Sequence, residues 1–369
     1  MKISKIKVKN KSTNYQILIG QNIIKRLGKE IKSVCPNANK VAIIFDKKIP
    51  KKFKKDIVQQ LRNYKTFIYE YRVNENLKSF NQANILAENL LKRNFNRNDV
   101  IISAGGGIVG DFSSFVASIL KRGINFINLP STLLAQVDSS IGGKTGINSK
   151  SGKNLLGSFY QPKLVLSELN FLKSLPKREM VCGFAEILKH SIIYKSNFFD
   201  WLDKNSKIIL DKKNLNILGS SIVKSCKIKL YFVNQDEREN NKRMILNFGH
   251  TFAHGIEAAS NFSRRINHGE AVLIGMLLAV KLSVRKKLCS KVTLEKISNV
   301  YFKNSLPYSL SKYFKKGYYN KIASFMISDK KNNDNKINLI LLRSIGKTTN
   351  PGQIKVSFKE MKKILKNIK

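Results

Sequence analysis

The stretch from Val100 to Leu120 limits the available folds more than any other. Val100-Ile101-Ile102-Ser103-Ala104 is a short, apolar, largely β-branched run, the composition of a strand buried on both faces of a parallel sheet. It passes directly into Gly105-Gly106-Gly107-Ile108-Val109-Gly110-Asp111, after which Phe112, Phe115, Val116, Ile119 and Leu120 recur at helical spacing. Strand, glycine turn and helix in that order form a βα unit, and the glycines match G-x-G-x-x-G. Backbone N–H groups at such a turn, with the helix N-terminus, make a pyrophosphate site. The usual second half of that fingerprint, an acid about twenty positions on, is missing, since the next acid after Asp111 is Asp138. A tight turn that binds nothing is the alternative.

Similar units flank this one. Val41 to Phe45, Thr66 to Tyr71, Ile124 to Leu129 and Leu164 to Leu166 read as strands, and Met1 to Val8 as an edge strand. Helical patterns run from Lys51 to Tyr64, Ser79 to Asn94 and Leu133 to Val137, with Ser131 and Thr132 placed to cap the last. Beyond about residue 170 the pattern turns helical: Leu175 to Tyr194, Leu215 to Asn234, Phe252 to Ser260, Gly269 to Leu288, Leu294 to Asn304 and Ser357 to Lys369, with a short strand at Ile337 to Leu342. A chain of 369 residues is long enough for two domains, each with its own core. The expectation is an α/β, Rossmann-like nucleotide-binding domain over residues 1–170 and a mostly α-helical domain over 171–369.

Within the first of these lies a polar loop, Asp138-Ser139-Ser140-Ile141-Gly142-Gly143-Lys144-Thr145-Gly146 and Gly152-Lys153-Asn154-Leu155-Leu156-Gly157. Its GGKT is not a P-loop, because the position five before Gly143 is Asp138 rather than glycine. Two lysines on flexible stems suit an anionic ligand; a solvated turn-rich loop is the other reading. In the following helix Glu186, Lys189 and His190 share a polar stripe, and Glu186 with Lys189 reads alone as a surface pair.

Four histidines occur in the chain, and three lie between His250 and His268. Such clustering points to a divalent metal. By spacing, His250 with His254 and Glu186 with His190 are the ligand pairs, each four apart on one helix face; a polar helix face is the alternative. The net charge of +44 raises nucleic-acid binding, but lysine is scattered from end to end with no basic tail and no aromatic-arginine platform. That binding is therefore not expected, and compositional drift accounts for the charge. Cys35, Cys182, Cys226 and Cys289 are far apart and read as reduced thiols, which disfavours a cysteine zinc site. No stretch is long and apolar enough for a membrane span, and the N-terminus has no signal core, so a cytoplasmic protein is expected.

With these pieces in order, the sequence resembles the 3-dehydroquinate synthase family, which serves the shikimate route to chorismate and the aromatic amino acids. The matching runs are Gly105-Gly106-Gly107 with Gly110-Asp111, Leu129 to Thr145, Gly152 to Phe159, Ala185-Glu186-Ile187-Leu188-Lys189-His190, Asp236-Glu237-Arg238-Glu239 with Arg243, Leu246 to Thr251, His268-Gly269-Glu270 and Asp329-Lys330-Lys331. Together they cover essentially the whole chain. Lys48, Ser191, Asn241 and Tyr231 depart from residues common in the family.

The resemblance implies an NAD- and metal-dependent phosphate lyase and cyclase acting on 3-deoxy-D-arabino-heptulosonate 7-phosphate. NAD+ oxidises the C5 hydroxyl, phosphate is eliminated, the NADH formed reduces the ketone, and the ring reopens and closes to 3-dehydroquinate. It changes the metal ligands to Glu186, His250 and His268, holding zinc or, in its place, cobalt(II), and moves His254 to the substrate pocket. Lys144, Lys153, Asn154, Lys189, Asn247, His254 and Lys330 or Lys331 resemble phosphate and hydroxyl contacts, and Lys229 and Arg243 carboxylate and hydroxyl contacts. Arg122 resembles the residue reaching phosphate from a neighbouring subunit, which implies a homodimer, and Asp138 a position between nicotinamide and substrate. The implied cofactor contacts are Asp46, Glu75, Lys78, Gly107, Ile108, Val109, Gly110, Asp111, Ser131, Thr132, Lys144, Lys153, Phe171, Leu172, Lys173 and Ser174. In this family Glu75 and Lys78 stand in for the missing downstream acid. A related sugar-phosphate cyclase, a metal-dependent polyol dehydrogenase and, further off, a basic nucleic-acid-binding protein with structural zinc are the competing readings.

Overall fold

The computed structural model describes residues 3–9, 14–195, 197–263, 265–314, 317–327 and 336–367; Lys330 and Lys331 lie outside them. The chain divides into two compact units, Met1–Glu179 with Leu218–Leu230, and Met180–Ile217 with Tyr231–Lys369.

The first unit holds strands β1 (Ser4–Lys9), β2 (Asn14–Gly20), β3 (Lys40–Asp46), β4 (Lys65–Tyr71), β5 (Val100–Gly105), β6 (Asn125–Pro130), β7 (Ile147–Ser149), β8 (Gly152–Leu156) and β9 (Leu164–Glu168). Its helices are α1 (Leu27–Val34), α2 (Lys51–Gln60), α3 (Phe80–Lys92) and α4 (Gly107–Ile119). Seven strands form one sheet in the order β1-β2-β9-β6-β5-β3-β4, parallel except for the β1–β2 pair. Side chains alternate between two apolar cores, as the pleat requires. Ile43, Ile102 and Ile127 face one core with Ile31 of α1 and Ile57 of α2, while Ile44, Ile101 and Phe126 face another with Leu86 of α3 and Phe112 of α4. Burial on both faces is why these strands read as continuous apolar runs.

Differences from the sequence reading are local. The helix expected to reach Tyr64 ends at Gln60, and β2 and α1 were not anticipated. The Leu133–Val137 helix passes into a π-helical turn over Ala135–Ser139, and the polar loop contains the β7–β8 hairpin.

The second unit is helical: most of α5 (Lys177–Ile193), α6 (Phe198–Leu210), the ends of α7 (Leu215–Gln235), α8 (His250–Ala259), α9 (His268–Arg285), α10 (Lys291–Lys303), α11 (Tyr318–Ile327) and α12 (Phe358–Asn367). Small antiparallel pairs join β10 (Lys336–Leu339) to β13 (Ile354–Ser357) and β11 (Leu342–Ser344) to β12 (Lys347–Thr348), so the single strand expected at Ile337 to Leu342 is two. α9 is apolar nearly all round and buried along most of its length, the pattern of a central helix. Its start is fixed by a capping box, in which Asn267 accepts from the Glu270 N–H and Glu270 accepts from the Asn267 N–H. Among the described residues no helix is long and apolar enough to cross a membrane.

Two glycines let α9 touch its neighbours at the backbone. A Cβ at Gly275 would stand 2.2 Å from the Gly249 carbonyl oxygen at the start of α8, and one at Gly269 would stand 2.3 Å from Cys182 Cα in α5. Neither obstacle is a flexible side chain that moves aside. Gly275→Ala is therefore expected to cost about 1–3 kcal/mol by overpacking, read as a lowered urea midpoint of unfolding.

Candidate active site

In an open parallel sheet, ligands bind beyond the carboxyl ends of the strands, where the strand order reverses. That reversal falls between β3 and β5, whose carboxyl ends carry Asp46 and Gly105. Asp46 Oδ1 accepts from the Lys48 N–H at 2.9 Å, so the residue turns the chain as it leaves the strand. β6 ends alongside at Pro130, and the Ser131 N–H donates to the Gly105 carbonyl at 2.8 Å. Thr132 Oγ1 accepts from the Ala135 N–H at 3.1 Å, the capping role its position suggested. At the head of α4 a Cβ on Gly105 would stand 2.7 Å from Val109 Cβ, so only glycine permits this turn. Among the described residues no side chain caps α4 at Gly106, which leaves the N–H groups of Gly107, Ile108 and Val109 at an electropositive helix end. Asp111 lies one turn on.

The stretch after β4 supplies the polar partners. Asn74 caps a short turn over Glu75–Leu77, and Lys78 follows it, buried. Lys78 Nζ donates to Asp111 Oδ2 at 2.6 Å and also to Asn154 Oδ1. Lys153 Nζ pairs with Glu75 Oε1 at 3.0 Å, and Asn148 Nδ2 donates to Glu75 Oε2 at 2.9 Å. Burial alone would raise the Glu75 carboxyl, but hydrogen bonds from Asn148 and Lys153 and the Lys153 and Lys78 charges carry it below its ordinary value. Asn148 escaped the sequence reading. It also donates its N–H to the Lys78 carbonyl at 2.7 Å and accepts from the Asn154 N–H at 3.1 Å, stapling the β7–β8 hairpin to this motif. Its signal was absent, because a lone asparagine in a polar loop carries no period.

Asp138 sits in the π-helical turn, where Lys229 of α7 donates to its carbonyl at 2.7 Å and to its carboxylate. Lys144 bridges in antiparallel fashion to Phe159. Phe171 and Leu172 are buried within the Leu169–Ser174 turn, Phe171 edge-on to Phe53 at 4.8 Å, while Lys173 and Ser174 end that turn. Arg122 is exposed on a left-handed backbone, φ 63°, next to Lys121 at φ 53°. Burial pushes the Cys35 thiol up to about 11 and the Cys226 thiol up to about 12, which makes both poor nucleophiles.

In the second unit α5, α8 and α9 bring Glu186, His250 and His268 together. One donor atom from each lies within 4.8 Å of the others. His250 Nε2 is 3.5 Å and His268 Nε2 3.9 Å from Glu186 Oε1. Donors on a tetrahedral zinc, each about 2.0–2.1 Å from it, stand roughly 3.3 Å apart, so small side-chain shifts close this set on an ion. Glu186 is fully buried, and among the described residues no hydrogen bond reaches its Oε1. It forms an ion pair with Lys189, also buried. The surface reading of this pair is thus corrected. α5 is buried from Phe184 to Ile193, so its polar stripe faces inward. A buried carboxylate whose Oε1 faces two imidazole nitrogens fits a divalent cation. His254 stands beside the set, its ring 5.7 Å from that of His250.

Both outer imidazole nitrogens are held. His250 Nδ1 meets the Phe248 carbonyl at 3.3 Å, and His268 Nδ1 meets Glu257 Oε2 at 3.1 Å. Glu257 was not among the expected site residues, although its spacing of seven from His250 on α8 places the two on one face. Nearby, Asp236 accepts from the N–H groups of Asn240, Asn241 and Arg243 at 2.8–3.0 Å, fixing the loop that carries the buried Arg243. Burial of Asp236 works against ionisation, yet those three backbone donors hold its carboxyl below the ordinary range. Arg243 donates to the Glu237 carbonyl, and Asn247 Nδ2 donates to Glu239 Oε1 at 2.7 Å.

Known proteins share this arrangement of elements. Residues 68–182 match the model of the 3-dehydroquinate synthase N-terminal domain, and residues 183–332 that of its C-terminal domain. The 3-dehydroquinate synthase of Pelagibacter ubique is 48% identical over 346 residues, 94% of either chain, and that of Campylobacter concisus 42% identical over 350 residues, 95% of either chain. A crystal structure of 2-deoxy-scyllo-inosose synthase, complexed with carbaglucose-6-phosphate, NAD+ and Co2+, superposes with a TM-score of 0.88 at 23% identity, covering 98% of this chain and 99% of that one. The 2-epi-5-epi-valiolone synthase of Streptomyces hygroscopicus, with NAD+ and Zn2+ bound, gives 0.84 at 21% identity over 97% of both chains. The chain belongs to the 3-dehydroquinate synthase family.

Proposed function

We propose that the protein converts 3-deoxy-D-arabino-heptulosonate 7-phosphate to 3-dehydroquinate and phosphate, using NAD and zinc, with cobalt(II) able to substitute. The observation that carries this is the convergence of Glu186, His250 and His268 in a chain whose close relatives are named for that reaction. On this reading residues 1–170 seat the nucleotide and residues 171–369 hold the metal and much of the substrate. The working form is a cytoplasmic homodimer in which Arg122 reaches the phosphate bound by the other subunit.

Bound NAD+ supplies a hydride acceptor that is regenerated within each turnover. Zinc on Glu186, His250 and His268 supplies a Lewis acid that acidifies hydroxyls and polarises a ketone. The head of α4 and the hydroxyls of Ser131 and Thr132 receive the pyrophosphate; Glu75, held ionised by its neighbours, accepts from ribose hydroxyls. Asp46, Lys78, Gly107 to Asp111, Lys144, Lys153 and Phe171 to Ser174 complete the nucleotide contacts. Lys144, Lys153, Asn154, Lys189, Asn247, His254 and either Lys330 or Lys331 bind the phosphate and ring hydroxyls. Lys229 and Arg243 take the substrate carboxylate and hydroxyls, and Asp138, paired with Lys229, stands between nicotinamide and substrate. Lys189, buried against Glu186, places a fixed positive charge where oxyanion character develops.

Incubation with the heptulosonate phosphate and sub-stoichiometric NAD+ is expected to release phosphate in excess of cofactor, with no NADH accumulating and no release in the presence of a chelator. Stoichiometric NADH would identify a dehydrogenase instead. Equal turnover of a heptulose phosphate without the carboxylate would identify a different cyclase. His268→Ala is expected to lose bound metal and turnover together, whereas Lys189→Ala keeps the metal and loses at least roughly 100-fold in kcat; metal analysis beside kinetics separates the two. Glu75→Ala removes a charge-assisted hydrogen bond of about 1.5–3 kcal/mol, roughly a 10- to 100-fold rise in Kd for NAD+ by calorimetric titration.

A further inference from the structure

We infer that Glu257 is a positioning residue for the metal centre, holding His268 in the tautomer and rotamer that turn its Nε2 toward Glu186 and His250. The inference rests on the metal reading above and deepens it. An imidazole with a proton on Nδ1 presents a lone pair at Nε2, and a hydrogen bond to an acceptor at Nδ1 selects that form. Glu257 Oε2 is that acceptor, 3.1 Å from His268 Nδ1, on the far side of the ring from Glu186 Oε1, which is 3.9 Å from Nε2.

The two histidines are secured by different means. His250 meets a backbone carbonyl, that of Phe248, and its side chain is 13% exposed. His268 stands at the first position of α9 with its side chain 31% exposed, so water competes for its orientation more strongly. A side-chain acceptor at a fixed distance settles that competition, and Glu257 is carried there by the helix that also carries His250.

The test is the zinc dissociation constant of metal-stripped protein, measured by competition with a chromogenic chelator. E257A is expected to bind zinc about 10- to 100-fold more weakly than wild type. E257Q, whose amide oxygen accepts from the same Nδ1–H, is expected to recover most of that loss. NAD+ affinity in all variants should equal that of wild type, which reports that the fold is intact. Should E257A fail to fold, E257D draws the carboxylate back by one methylene and carries the expectation of an about tenfold loss. Folded E257A or E257D with wild-type zinc affinity overturns the inference. Wild-type protein that holds no zinc overturns the metal reading itself, and the inference with it.

Discussion

The second unit depends on backbone-to-backbone contact between α9 and its neighbours. Gly269 lies against Cys182 of α5 and Gly275 against Gly249 at the head of α8, each at a distance that admits no side chain. The Gly269 N–H also donates to Cys182 Sγ at 3.2 Å. These two contacts set the register of three helices whose side chains meet at Glu186, His250 and His268. Three donors carried on elements far apart in sequence need such rigidity if their directions are to hold to a fraction of an ångström. Side chains at these crossings would spread the helices and the donors with them.

The first unit solves a different problem, how to keep polar groups ordered at the end of an apolar sheet. Strand ends stop at Asp46, Gly105 and Pro130, and the loops beyond are tied by charge rather than by packing. Lys78 is the hub of that arrangement, reaching Asp111 at the head of α4 and Asn154 in the hairpin, while Asn148 binds the hairpin back to Glu75. The left-handed backbone of Asn154, φ 55°, is the local strain this network sustains.

Much of the first unit was legible because burial on both faces leaves unbroken apolar strands, and β3, β5, β6 and β9 all announce themselves that way. β2 did not, since Ile17-Leu18-Ile19 is too short to show a period. The hairpin was hidden by glycine, serine and lysine, whose order there answers to side-chain partners rather than to a core. In the second unit periodicity separated polar from apolar stripes but misjudged which faced solvent, since α5 and α9 are buried on nearly every side. Spacing singled out His250 with His254, whereas the structure groups His250 with Glu186 and His268. Residues on three separate elements leave no interval to read; only the resemblance named that set. Glu257 was within reach, since its interval from His250 is helical, yet nothing local revealed His268 as its partner.

The ion pair between Glu186 and Lys189 has a consequence for the stability of the helical unit. A carboxylate isolated in an apolar interior is costly enough to distort its surroundings, and removing a compensating charge from such a pair typically costs several kcal/mol. Here Lys189 supplies that compensating charge one turn away on the same helix. The fold thus does not need a bound cation to balance the charge it buries at Glu186.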